Sequence, residues 1–359
     1  MNATFRAMVA SESDGAIHGE LTDLTDADLP EGDVTVAVSY SSLNYKDGLA
    51  VTGRGKIARR LPMVCGVDLV GRIEQSESPD FEVGQDVIVT GYGLSETHPG
   101  GFTQRQRVRS EWLVPLPEGL TPIQAMAIGT AGFTAMLCVM ALEDAGVTPQ
   151  GGSGAGRPAG SGGSAAGDDR PAGWGQGEPG EIVVTGAAGG VGSVAVAVLA
   201  NLGYAVAAST GRPETHDYLR SLGATSMVDR AELSKGPARP LDAQRWAGGI
   251  DTVGSATLAA VLSQTTYAGA VAACGLAGGN DLPASVLPFI LRAVKLIGVE
   301  SVQTPMAKRR RAWQRLGSDL PLDLLGNMTT VEPMTALPVL AEQILAGRTR
   351  GRVVIDVNG

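Results

Sequence analysis

The sequence predicts an α/β protein with a strand-rich first domain and a second domain built on a doubly wound parallel sheet. Three observations carry this expectation. Short Val- and Ile-rich runs broken by turn residues fill the first third, a long helical pattern follows from Pro122, and strands alternate with helices after residue 181.

In the first region, residues 34–40, 67–74 and 86–90 read as strands, separated by "PEG", "SPDFEVGQD" and "GYG". From Pro122 the stretch "IQAMAIGTAGFTAMLCVMALEDAG" has the length of a helix and stops at Gly146. Residues 151–180 hold twelve Gly in thirty, a composition that cannot bury a core, and read as a low-complexity insertion looping from the surface. After it comes "EIVVTGAAGGVGSVAVAVLANLG", a buried strand at Ile182 to Thr185, a glycine turn, and a helix ending at Gly203; a second strand follows at Ala205 to Ser209. This βαβ grammar implies a parallel sheet.

Composition bounds the function. The 359 residues, 43% hydrophobic and 18% charged, suffice for two packed domains. A formal charge of −9 argues against nucleic acid or an anionic membrane as the main partner. The apolar run Val194 to Ala200 is far too short to span a bilayer, and the start shows no secretory pattern, so a cytoplasmic enzyme is expected. Cys65, Cys138 and Cys274 form neither a disulfide framework nor a zinc cluster.

The glycine turn is a phosphate grip. Gly186, Gly189 and Gly192, with Gly190 and Val191 between them, let the chain turn sharply and let a pyrophosphate approach the helix N-terminus. Where an NAD site would place an acid after the second strand, this chain has Ser209, Thr210, Gly211 and Arg212. Thr210 and Arg212 suit a 2′-phosphate, so NADPH is the expected cofactor.

A strand-rich domain before a nucleotide domain, with "LPMVCGVDLVG", "FEVGQDVIVTGYG", "GGFTQRQRV" and "IGTAGFTAM" in this order, resembles the medium-chain dehydrogenase/reductase superfamily. Metal-dependent members have "GHE" where Gly66, Val67 and Asp68 stand here, and valine cannot ligate zinc, so no metal is expected. Within the superfamily, "SSLNYKDGLAVTGRGKIARRLP", "GTAGFTAMLCVMALEDAG" and "LPFILRAVKLIGVESV" look like the acrylyl-CoA reductase family. The resemblance implies a GroES-like domain, residues 1–125 completed by about 305–359, and a Rossmann domain, residues 126–304. It further implies an acyl-CoA substrate, a homodimer, and cofactor contacts from Arg230, Leu276, Ile290 and Ser301. An NADPH-dependent quinone or enone reductase is the rival enzyme, and a non-catalytic NADPH-binding protein the rival class.

Hydride addition to the β-carbon of an unsaturated thioester builds negative charge on its oxygen, and the α-carbon then needs a proton. "LNYKD" supplies Asn44, Tyr45, Lys46 and Asp47. If this stretch is extended, Asn44 and Lys46 face one side and Tyr45 and Asp47 the other. Tyr45 is the expected substrate- and nicotinamide-facing residue, with Asn44 or Asp47 orienting; Asp47 as a helix cap and Tyr45 as packing is the alternative. His98 reads as a loop residue. The basic runs "RGKIARR" (54–60) and "KRRRAWQR" (308–315) either meet coenzyme A phosphates or are solvated faces.

Overall fold

A computed structural model describes residues 4–149 and 180–359, and the expectations placed on residues 151–179 lie outside the described residues. The chain divides into two compact units, one of Met1–Leu137, Ala188–Val194 and Glu300–Gly359, the other of Cys138–Ala187 and Ala195–Val299.

The first unit opens with β1 (Thr4–Ser13), β2 (Ala16–Thr25), β3 (Val34–Leu43), β4 (Met63–Val64), β5 (Asp68–Ser76), β6 (Asp86–Thr90), β7 (Arg105–Val108) and β8 (Val114–Pro115). The second contains β9 (Glu181–Val184), β10 (Val206–Thr210), β11 (Ser226–Asp229), β12 (Trp246–Asp251), β13 (Thr265–Ala273) and β14 (Lys295–Gly298). β15 (Thr329–Pro333) and β16 (Arg352–Asp356) complete the first.

In the first unit β3 is central: β5 pairs along one edge of it, and β7 (at Val34–Ala37) and β16 (at Tyr40–Leu43) share the other, all antiparallel, in a seven-stranded sheet. Alternating burial along these strands puts Val36, Leu69, Val87, Phe102 and Ile355 into one core. In the second unit the order β11-β10-β9-β12-β13-β14 is all parallel, with Ile182 beside Val206 on one side and Gly248 on the other. The order reverses direction between β9 and β12, the switch point at which open α/β sheets bind ligands. Val183, Ala207, Trp246, Val261 and Val271 fill its core.

Three helices matter for the site: α1 (Tyr45–Thr52), α2 (Pro122–Asp144) and α3 (Gly190–Asn201). By length and hydropathy α2 could cross a membrane, but its most apolar window is 94% buried inside the protein, so its apolar character is that of a core helix. The helical pattern at 122–146 also conceals a break. Gly129 has φ 50° and ψ −159°, and a Cβ there would lie 2.8 Å from the Arg352 guanidinium and 2.9 Å from the Asp68 carboxylate, so only glycine fits.

Candidate active site

β3 ends at Leu43, and Asn44, itself still extended, is the cap of α1, so residues 45–47 are helical. The alternation expected of a strand fails for a local reason. Asp47 stands three residues after Asn44, and its carboxylate takes up the orphan N–H of a helix start. Asp47 Oδ2 accepts from Asn44 N at 2.9 Å and Asn44 Nδ2 at 3.1 Å, while Oδ1 accepts from Val67 N at 2.9 Å. Asp47 is fully buried, whereas Tyr45, in the first turn, is 46% exposed.

The Asn44 side chain belongs to the same buried network. Its Nδ2 also donates to Ser42 O and Asp68 Oδ2, both at 3.2 Å, and its Oδ1 accepts from Arg352 at 3.3 Å, which fixes the amide's orientation. Asp68 accepts from Ser42 N, Ser42 Oγ and Thr130 N at 2.8–2.9 Å. Arg352, on β16, donates to Ala127 O and Ser42 Oγ, each at 2.7 Å. Two carboxylates, one amide and one guanidinium thus hold the base of Tyr45. Burial first, and the Asp68 charge second, push the Asp47 carboxyl up to about 7, against the hydrogen bonds from Asn44 and Val67. Arg352 also packs on the glycine turn, where a Cβ at Gly190 would lie 2.7 Å from it, and Gly351 N donates to Ala188 O at 3.1 Å.

In the second unit Gly186 has φ 60° at the end of β9. Thr185 Oγ1 donates to Asp251 Oδ1 at 2.7 Å and accepts from Thr252 N at 3.0 Å, tying the ends of β9 and β12 together. Gly254 N donates to Asp251 Oδ2 at 2.7 Å, and burial raises the Asp251 carboxyl above its ordinary range. Gly254 in turn packs against Leu276, in the loop after β13, with Leu276 itself 66% exposed.

At the end of β10, Thr210 is buried. Thr215 Oγ1 donates to Arg212 O at 2.7 Å, and Thr210 Oγ1 lies 3.2 Å from Thr215 Oγ1 and accepts from Arg212 N at 3.2 Å, so the hydroxyls of this turn brace its backbone. Arg230, the exposed first residue of helix Arg230–Ser234, takes the place beside Gly211: a Cβ there would lie 2.7–2.9 Å from its guanidinium. Gly211, Arg212 and Arg230 are therefore brought together. Ile290, on helix Leu287–Arg292, is 69% exposed. Ser301 lies in the first unit, where its carbonyl accepts from Arg309 at 3.1 Å.

An acrylyl-CoA reductase of Ruegeria pomeroyi, AcuI, is 49% identical over 99% of this chain and 99% of its own. This chain belongs to the acrylyl-CoA reductase family. Consistent with membership in the wider superfamily, the zinc-binding dehydrogenase family matches residues 190–317 and the alcohol dehydrogenase GroES-like domain matches residues 30–118. The crystal structure of an oxidoreductase from Salmonella enterica in complex with NADP, 49% identical, superposes with a TM-score of 0.88 over 98% of this chain and 99% of its own. A putative quinone oxidoreductase of Bacillus subtilis, YhfP, is 39% identical over 99% of this chain and 100% of its own.

The zinc that names the matching family does not fit the residues present in this acrylyl-CoA reductase family member. Val67 offers only a backbone N–H, already given to Asp47, and burial pushes the nearby Cys65 thiol up to about 12, far from the thiolate a metal needs. Among the described residues no three His, Cys, Asp or Glu are grouped to hold a metal. His98 is half-buried, edge-on to Trp112 at 5.0 Å, with Nδ1 on Pro99 O at 2.9 Å; burial lowers its pKa.

Sequence reasoning missed Asp68 and Arg352 as site residues. Each is a charge inside an apolar strand run, "GVDLVG" and "GRVVIDV", a signal that a buried partner exists. It missed Asp251 for the same reason, and Arg309 because a basic run was read only as a phosphate contact or a solvated face, not as a buried position.

Proposed function

We propose that the chain reduces the carbon–carbon double bond of acrylyl-CoA to propanoyl-CoA with NADPH and without a metal. The observation that carries this reading is the 49% identity to the R. pomeroyi acrylyl-CoA reductase along the whole of both chains. The donor set supports it: the glycine turn and the Gly211, Arg212 and Arg230 corner suit a 2′-phosphorylated dinucleotide. Leu276, Ile290 and Ser301 are the further cofactor contacts of this reading.

NADPH, when bound, supplies the hydride that adds to the β-carbon. The π electrons of the double bond move toward the thioester oxygen, and a proton is then taken up at the α-carbon. Tyr45 offers the exposed hydroxyl of the 44–47 stretch, at a helix start whose dipole favours developing negative charge. Asn44 and Asp47, both engaged in the buried network, orient that helix start rather than touch substrate. Buried Arg352 adds a fixed positive charge behind it.

An NADPH-oxidation screen over acrylyl-CoA, longer enoyl-CoAs, quinones and free enones tests the reading. Acrylyl-CoA should show the highest kcat/KM, and Tyr45→Phe should slow its single-turnover rate by about a hundredfold while leaving NADPH binding intact. A quinone in first place would favour the second reading, to which the name of the B. subtilis relative points.

A cytoplasmic location and a homodimer complete the proposal. No disulfide joins Cys65, Cys138 or Cys274, in keeping with a reducing compartment. β14 is the outer strand of its sheet and exposes Lys295 and Leu296, an edge that a second copy could cover. Sedimentation velocity of wild type and Leu296→Lys checks this, a wild-type monomer overturning it.

A further inference from the structure

The basic stretch after α1 does not run away from Tyr45. Residues 53–60 leave the far end of α1, a helix about 12 Å long, and come back. Arg59 N donates to Glu96 O at 2.8 Å, and the Glu96 carboxylate pairs with Lys46, the neighbour of Tyr45. The return places Arg59 and Arg60 at the Tyr45 end of the helix. Both are exposed, and among the described residues neither has an acidic partner. The charge of Arg60 is close enough to His98 to help depress its pKa, after burial and together with Arg109, so these cations gather around one loop. Arg109 lies 5.6 Å over the Trp112 ring and, unlike Arg59 and Arg60, has an acidic partner, Glu111 at 3.7 Å, with 60% of its side chain exposed.

The other basic run is used differently. Arg309 is fully buried between the rings of Tyr92 and Phe133, at 4.3 and 4.7 Å, and donates to Thr90 O at 2.7 Å. Arg315 pairs with Asp319 at 2.7 Å. In a chain of net charge −9, unpaired exposed arginines beside an exposed tyrosine form a local reversal of sign.

We propose that Arg59 and Arg60, with Arg109 at the margin, bind the phosphate groups of the substrate's coenzyme A nucleotide. This rests on the acyl-CoA reading above. The guanidinium fork matches phosphate oxygens in pairs, and the flexible pantetheine arm carries the acyl group on toward Tyr45.

The test uses the full chain with Arg59→Ala and Arg60→Ala combined, and two substrates, acrylyl-CoA and the phosphate-free thioester S-acrylyl-N-acetylcysteamine. KM for acrylyl-CoA should rise at least about tenfold. KM for the phosphate-free thioester and for NADPH should stay at wild-type values, and calorimetric titration with free coenzyme A should weaken in step. Arg59→Lys with Arg60→Lys should restore part of the loss, and raised salt should weaken acrylyl-CoA binding more in wild type than in the alanine variant. An unchanged KM for acrylyl-CoA, or equal rises for both thioesters, would overturn the proposal. Failure of the acyl-CoA reading shows separately, as wild-type enzyme that turns over neither thioester.

Discussion

The corner around Asn44 in the first unit and the corner around Gly211 in the second both carry arginine, and they use it in opposite ways. At Asn44 the charges of Arg352, Asp47 and Asp68 are almost wholly inaccessible, and their hydrogen bonds meet on the Ser42 and Asn44 side chains and on backbone. At Gly211, Arg230 is exposed and Arg212 half-buried, both flanking a backbone without a side chain. Desolvated charges held in a hydrogen-bonded network fix geometry; charges open to water can be reached by an anion. The first corner should therefore respond to mutation through stability and pH, the second through ligand affinity.

The largest expected effect that could break this contrast is at Asp47. Its carboxyl is raised from the ordinary 3.8 to about 7. Between those values the folded protein keeps a proton that the unfolded chain has lost, so this group's contribution to stability is full below the unfolded value and falls as pH rises toward 7. Asp47→Asn does not titrate. It should unfold at lower urea than wild type at pH 5 and recover ground by pH 8, a relative change on the order of 2–3 kcal/mol. Parallel urea midpoints across this range would mean that Asp47 is ionised throughout.

A smaller effect sharpens the other side. Arg212→Ala should weaken NADPH about tenfold, or ~1.4 kcal/mol, because Arg230 remains as a second cation. NADH, which has no 2′-phosphate, should bind as before in fluorescence titrations at low salt, and the urea midpoint should not move. Equal weakening of both dinucleotides would assign Arg212 to the fold.

Local pattern sufficed for much of the fold. The strand, glycine turn and helix from Glu181 to Asn201 were legible because alternation, glycine spacing and an apolar run all lie within twenty-odd residues. Gly129 was not, since what forces its conformation is Asp68 and Arg352, distant in sequence. The contact of Thr210 with Thr215 was not legible either, since the short turn Pro213–Thr215 that presents Thr215 leaves no pattern of its own. Arg309 could have been found. With Ala312, Trp313 and Leu316 it forms the buried face of helix Met306–Asp319, a helical spacing that crosses the basic run.

β16 lies between β15 and β3, and residues 352–356 thereby supply both an inner strand of the first unit's sheet and its buried guanidinium. Its partner β3 is made more than 300 residues earlier. During synthesis the ribosome will have released all of the second unit's strands before this place is filled, so β3 waits with a bare edge through most of translation. Chaperone occupancy of nascent chains should accordingly persist until the last strand emerges, and a stop codon just before Arg352 would cost the cell a soluble protein, not a trimmed one.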